Sequence, residues 1–119
     1  MYSAVLNVTF DCTNPRRVAE FWSQVTGYVV EEVNSPGNDY FVASPESRSW
    51  PRLVFVKVPE AKAAKNRVHL DVVPRERDQA AEVDRLLSLG ARILDDRRHK
   101  TPGGWVVLAD PEGNEFCVE

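Results

Sequence analysis

The pattern strand, helix, three strands runs twice along this chain, and no other feature limits the fold as tightly. Leu6, Val8 and Phe10 alternate with Asn7, Thr9 and Asp11. Such alternation marks a strand with one face on a core, here over residues 2–12. Asn14-Pro15 then offers an N-cap and a first helical residue. Val18, Phe21, Trp22 and Val25 follow at the i, i+3, i+4, i+7 spacing of one helix face, and Gly27 supplies the C-terminal cap. Strands are predicted over 28–33, 40–43 and 53–58, with a turn at "NSPGN" (34–38) and a polar loop over 44–51. After the polar connector "PEAKAAKN" (59–66) the order returns. A strand is predicted over 67–73 and a helix over 76–89 with Val83, Leu86 and Leu87 on one face, closed by Gly90. Strands follow at 91–94, 105–108 and 115–118. "FVASPES" (41–47) echoes "VLADPEG" (107–113), and "FWSQVTGYVV" (21–30) matches the pattern of "RLLSLGARIL" (85–94). A repeat this long is a half-domain, not a solenoid unit.

The chain of 119 residues suits one domain with a real core. Its net charge of −3 and pI of about 5.4 exclude the basic field that a nucleic-acid binder needs. They also give no pull toward anionic membranes. No apolar run reaches membrane-spanning length, and no signal peptide is expected before the first strand. Two cysteines, Cys12 and Cys117, without a Cys-x-x-Cys, point to reduced thiols and a cytoplasmic protein.

"NRVHLDVV" (66–73) holds the densest chemistry. Arg67, His69 and Asp71 alternate with Val68, Leu70 and Val72, so a cation, an imidazole and a carboxylate share one strand face. An Arg67–Asp71 pairing across that face is the structural reading. In the functional one, Arg67 holds an anionic group and His69 acts as ligand contact or acid/base. The run 95–100, "DDRRHK", reads as a charged surface loop with His99 solvated. A phosphate-binding Gly-rich loop, a Gly-x-Ser-x-Gly elbow and a His-x-x-x-His helix are all missing.

The stretches "AEFWSQVTG" (19–27), "KNRVHLDV" (65–72) and "GGWVVLADPEGNEFCVE" (103–119), set in two tandem βαβββ halves, resemble the vicinal oxygen chelate superfamily. That superfamily includes glyoxalase I, extradiol dioxygenases and bleomycin- and fosfomycin-resistance proteins, and the match is to its glyoxalase-like domain branch. The resemblance implies an α+β fold in which tandem βαβββ modules form an open, curved mixed β-sheet barrel with helices on the outer face. Module 1 spans about 1–58, the connector 59–66 and module 2 about 67–119. Leu6, Val8, Phe10, Val68, Leu70, Val72, Phe116 and Val118 then face the helices. Asn7, Thr9, Asp11, Arg67, His69, Asp71, Glu115 and Cys117 face a cavity. Cys12 falls on the face opposite Cys117, which disfavours a disulfide. Trp50 and Trp105 flank the cavity mouth.

Enzymes of this family bind one divalent metal through the first and last strands of each half. The matching positions here are Asn7, Val56, His69 and Cys117. His69 is a good ligand, Cys117 can serve a soft metal as thiolate, Asn7 is a poor ligand and Val56 is none. Asp11 and Asp71 lie nearby. A catalytic site wants three protein ligands and an open position, so no complete metal site and no cofactor is expected. If a metal binds, His69 and Cys117 hold it.

The resulting expectation is a glyoxalase/bleomycin-resistance-like homodimer that binds a small molecule. Asn7, Arg67, His69, Asp71, Trp105 and Cys117 are its contacts, and His69 is the one catalytic candidate. The alternatives are a metal-dependent lyase, isomerase or dioxygenase, or a non-catalytic interaction module with a filled pocket.

Overall fold

The structure is a computed structural model that describes residues 1–34, 40–100 and 102–119. It divides into two compact units, Met1–Lys62 and Ala63–Glu119, with the division inside the polar connector. Each unit carries one βαβββ set, so the α+β class and the tandem modules both stand.

Unit 1 contains β1 (Asn7–Cys12), α1 (Pro15–Thr26), β2 (Val29–Val33), β3 (Tyr40–Ser44) and β4 (Arg52–Lys57). The Asn14 side chain accepts from the Arg17 N–H at 3.3 Å, and Pro15 opens the helix where its missing N–H costs nothing. Gly27 closes α1 in the left-handed region at φ 74°, its N–H donating to the Ser23 carbonyl. The sheet order is β1-β4-β3-β2, with β1 and β4 parallel and the other pairs antiparallel. Val18, Ala19, Phe21 and Trp22 bury the apolar stripe of α1. Trp22 lies 5.4 Å from Phe10, ring centre to ring centre, and Phe10 lies 5.2 Å from Phe55. The expected turn at 34–38 falls largely outside the described residues.

Unit 2 contains β5 (Leu70–Val72), α2 (Gln79–Ser88), β6 (Arg92–Asp96), β7 (Val106–Ala109) and β8 (Glu115–Val118). Its sheet order, β5-β8-β7-β6, repeats that of unit 1 strand for strand, again with the first and last strands parallel. The Asp78 side chain caps α2 by accepting from the Ala81 N–H at 2.7 Å. Val83 and Leu86 of α2 are buried, as are Val106, Leu108, Phe116 and Val118 of the sheet. Glu82, also buried, is held by Arg85 through paired bonds of 2.6 and 2.9 Å. That bond, more than anything else, lowers the Glu82 pKa.

Two expected strands are shorter than their alternation suggested. β1 starts at Asn7, which leaves Leu6 exposed. β5 starts at Leu70, and Val68 is 75% exposed instead of facing the helices. The cause is the partner strand. β8 begins at Glu115, opposite His69 in this register, so the backbone upstream of His69 has no ladder to join. Side chains hold it instead: Asn66 donates its backbone N–H to Glu115 Oε2 at 2.8 Å and its amide to Asn114 Oδ1 at 3.0 Å. Alternation reports which way a residue points, while strand length depends on a partner to bond.

Candidate functional site

Pairing register assembles the site in unit 2. Asp71 stands opposite Cys117 across the parallel β5–β8 pair, and Cys117 stands opposite Val107 across β8–β7. Side chains in register on adjacent strands share a face, so these three form a row. Two residues away along each strand, on the same face, lie His69, Glu115 and Trp105. With Lys65 and Glu119 these residues line a cavity of about 370 Å³. The expectation that His69, Asp71, Glu115 and Cys117 face one cavity is met within this unit. Trp105 joins them from the edge of β7.

The turn before β8 fixes where Cys117 sits. The Gly113 N–H donates to the Asp110 carbonyl at 2.9 Å, the closure expected for "DPEG". The buried Asp110 carboxylate also accepts from the N–H of Glu112 and of Asn114 and from the Asn114 amide, at 2.8 to 2.9 Å. A carboxylate satisfied three times over makes a rigid launching point for the strand.

His69 Nδ1 lies 3.4 Å from Asp71 Oδ1, and both side chains are partly exposed. Asp71 thus sits beside His69 instead of pairing with Arg67, which precedes β5 and is not part of the cavity lining. Cys117 is buried at 7% exposure. Burial pushes its thiol pKa up to about 11, helped by the charge of Asp71, a hydrogen bond to Asp71 and the charge of Glu119; Lys65 opposes the shift. Such a thiol stays protonated at neutral pH and is a poor nucleophile. Neither cysteine is in a disulfide. Cys12, in unit 1, donates weakly to the Val56 carbonyl at 3.5 Å.

A prediction about the thiol follows. With a pKa near 11, roughly one molecule in a thousand carries thiolate at pH 8. Iodoacetamide labelling of Cys117, followed by peptide mass spectrometry in EDTA, should be slow and rise about tenfold per pH unit up to that pKa. Asp71→Asn removes the carboxylate that opposes ionisation, so labelling at pH 8 should accelerate several-fold. Equal rates in the two proteins would show that Asp71 does not govern the thiol.

The positions in unit 1 behave differently. Asn7 Oδ1 accepts from Arg52 Nε at 2.9 Å, and Val56 carries no donor. Register also corrects the match between the halves. Asn7 lies four residues before Asp11, the partner of Val56. His69 lies two residues before Asp71, the partner of Cys117. If Asn7 corresponds to His69, the counterpart of Cys117 is therefore Val54, not Val56. Neither valine can ligate, so the four-position metal set of the family does not fit this chain. What unit 2 does bring together is His69, Asp71 and Cys117, whose donor atoms all lie within 4.8 Å of one another. Sequence reasoning paired His69 with Cys117 and offered Asp11 and Asp71 alike as outside candidates for a third donor. The signal it lacked was the register across β5 and β8.

Unit 1 has its own cavity of about 300 Å³, lined among others by Tyr40, Arg48, Trp50 and Arg52. Trp50, expected at a cavity mouth, is exposed there. The charged run 95–100, expected as a loop, starts inside β6, which extends through Asp96, and is neutralised locally: Arg97 pairs with Asp95 and Arg98 with Asp96, each at 2.7 Å. Arg98 holds the Asp96 carboxyl down at about 2, and His99 is exposed. Among the described residues no helix is long and apolar enough to cross a membrane.

Comparison with known proteins agrees with this architecture. Fosfomycin resistance protein FosX from Mesorhizobium loti superposes with a TM-score of 0.72 at 15% identity, over 100% of this chain and 92% of that one. A FosX mutant from Listeria monocytogenes, complexed with Mn(II) and 1S,2S-dihydroxypropylphosphonic acid, gives 0.73 at 14% identity, over 100% and 90%. A possible glyoxalase from Bacillus cereus gives 0.67 at 16% identity, over 98% of each chain. No curated protein matches. The model of the glyoxalase-like domain matches residues 7–119. The chain therefore belongs to the glyoxalase-like domain family, within the vicinal oxygen chelate superfamily.

Proposed function

We propose that this protein binds a small molecule in the unit 2 cavity, with Trp105 and Val107 as its apolar wall and His69 and Lys65 as polar anchors. The observation that carries this reading is the composition of the lining. A ring, a valine and a buried thiol lie beside a few convergent polar groups, the pattern of small-ligand sites. The volume of about 370 Å³ falls at the lower end of such sites, roughly 300–1,000 Å³, and suits a compact molecule. A flat or branched apolar body would rest on Trp105, with an oxygen-bearing head toward His69 and Lys65. The FosX relative, complexed with a phosphonic acid, makes small phosphonates and carboxylates sensible first probes.

The test is a screen of small organic acids, phosphonates and aromatic acids by two-dimensional NMR of labelled protein in EDTA. Binders should shift Asp71, Val107 and Cys117, and Trp105→Ala should weaken them by about tenfold, the loss of one aromatic contact. A library that shifts only residues around Trp50, or nothing, would retire this site as the pocket.

A second reading, a metal-dependent lyase, isomerase or dioxygenase, is favoured by one observation: the convergence of His69, Asp71 and Cys117.

A further inference from the structure

We infer that the unit 1 cavity is a second ligand site, built within that unit, and that it takes a flat aromatic carboxylate. The carboxylate sits on the Arg52 guanidinium and the ring lies against Trp50.

Pairing register builds the floor. Asn7 stands opposite Arg52 across β1–β4, and Val29 opposite Ser44 across β2–β3. The β3–β4 register, with Ala43 opposite Leu53, brings Ser44 beside Arg52. Arg52, Ser44 and Val29 therefore form a row on one sheet face. Val42, Tyr40 and Val33 continue that face two or four residues along their strands. All six line the cavity of about 300 Å³. The loop between β3 and β4 supplies the wall. The Arg48 N–H donates to the Pro45 carbonyl at 2.8 Å and closes a turn. Arg48 has a φ of 59°, in the left-handed region that disfavours any side chain. Strain of that kind gathers at ligand sites. Two residues on, Trp50 is 59% exposed and lines the same cavity.

Charge then selects the ligand. Of the four charged residues in the lining, Glu31, Glu46 and Arg48 are exposed, and Arg52 is set into the wall. Glu31 lies 3.8 Å from Arg48, so those two offset each other at the rim. Arg52 Nε donates to Asn7 Oδ1 at 2.9 Å, which fixes the plane of the guanidinium. Among the described residues no carboxylate pairs with Arg52, and its two Nη groups have no acceptor. An oriented guanidinium with an open edge fits an anion that presents two oxygens in one plane, as a carboxylate does. The rest of the site is apolar or aromatic: Val29, Val33, Val42, Tyr40 and Trp50. An exposed indole offers a flat face on which a ring can stack. None of these contacts involves the unit 2 cavity, so the inference does not rest on the function proposed there.

The probe is 2-naphthoate, titrated into the full chain in EDTA by calorimetry and by two-dimensional NMR. One equivalent should bind and shift Val42, Ser44 and Trp50. The uncharged 2-naphthamide should bind at least tenfold more weakly, and so should inorganic phosphate, which lacks the ring. Arg52→Gln should weaken naphthoate binding at least tenfold, and Trp50→Ala about tenfold. Arg92→Gln, which removes the same charge from an exposed position in unit 2, should change nothing. Circular dichroism checks that Arg52→Gln folds; Trp50→Ala, at an exposed residue, decides the matter if it does not. No binding, acid and amide bound alike, or binding that survives both variants overturns the site. Shifts confined to Val107 and Cys117 also overturn it and assign the acid to the unit 2 cavity, so the two readings fail separately.

Discussion

Trp22→Ala should destabilise unit 1 more than any other single substitution in that unit. The indole is fully buried. It sits 5.4 Å from the Phe10 ring and meets Phe21 edge-on at 5.7 Å. Removing a buried tryptophan costs about 3–5 kcal/mol, from lost transfer energy and the cavity left behind. The aromatic contacts add to that loss. Small domains hold only about 5–15 kcal/mol in total. At roughly 4 °C per kcal/mol for a chain of this size, the melting midpoint should fall by about 12–20 °C. Differential scanning calorimetry measures it, with Val29→Ala as the control, since Val29 is 55% exposed. A fall of only a few degrees would mean that α1 repacks on the sheet without its main anchor.

Gly104→Ala should be the most damaging change near the candidate site. A Cβ there would land on the Arg97 backbone carbonyl and close against Arg98. Backbone cannot swing aside as a side chain can, so the hairpin between β6 and β7 must move. That hairpin is pinned at both ends. The Arg97 N–H donates to the Trp105 carbonyl at 2.8 Å. The Gln79 amide bridges the carbonyls of Gly104 and Val118 at 2.9 and 3.1 Å. Overpacking costs about 1–3 kcal/mol, and a lost hydrogen bond adds about 1 kcal/mol. The expected result is a melting midpoint lower by about 8–16 °C, together with altered Trp105 fluorescence, because Trp105 follows directly in the chain. The same substitution at Gly113, whose φ is 89°, would strain the backbone by a different route, through a left-handed conformation that Cβ opposes. An unchanged midpoint in Gly104→Ala would show that the hairpin carries little of the fold.

These two variants probe different layers of the sequence. The packing around Trp22 was legible from the chain alone. Asn14-Pro15, the i, i+3, i+4 apolar spacing and Gly27 each act over a few residues, so local rules suffice. β8 also falls where its alternation placed it, at Glu115–Val118. The site was legible only in part. Alternation put His69, Asp71, Glu115 and Cys117 on one kind of face, and the cavity collects all four. Alternation did not say where β5 begins, and Arg67, expected on the same face, precedes the strand. Nor did it say that Asp71 is the register partner of Cys117.

By itself, then, the sequence determined the tandem βαβββ plan, the ends of α1 and the parity of β1, β5 and β8, because each depends on residues close in the chain; α2, predicted over 76–89, instead begins at Gln79 behind the Asp78 cap. Tertiary structure alone decided that β5 is three residues long, that Asp71 faces Cys117, and that their donor atoms converge with that of His69. The reason is register. Two parallel strands far apart in sequence can slide by two residues without changing which side chains point inward, and only the packed sheet selects one setting.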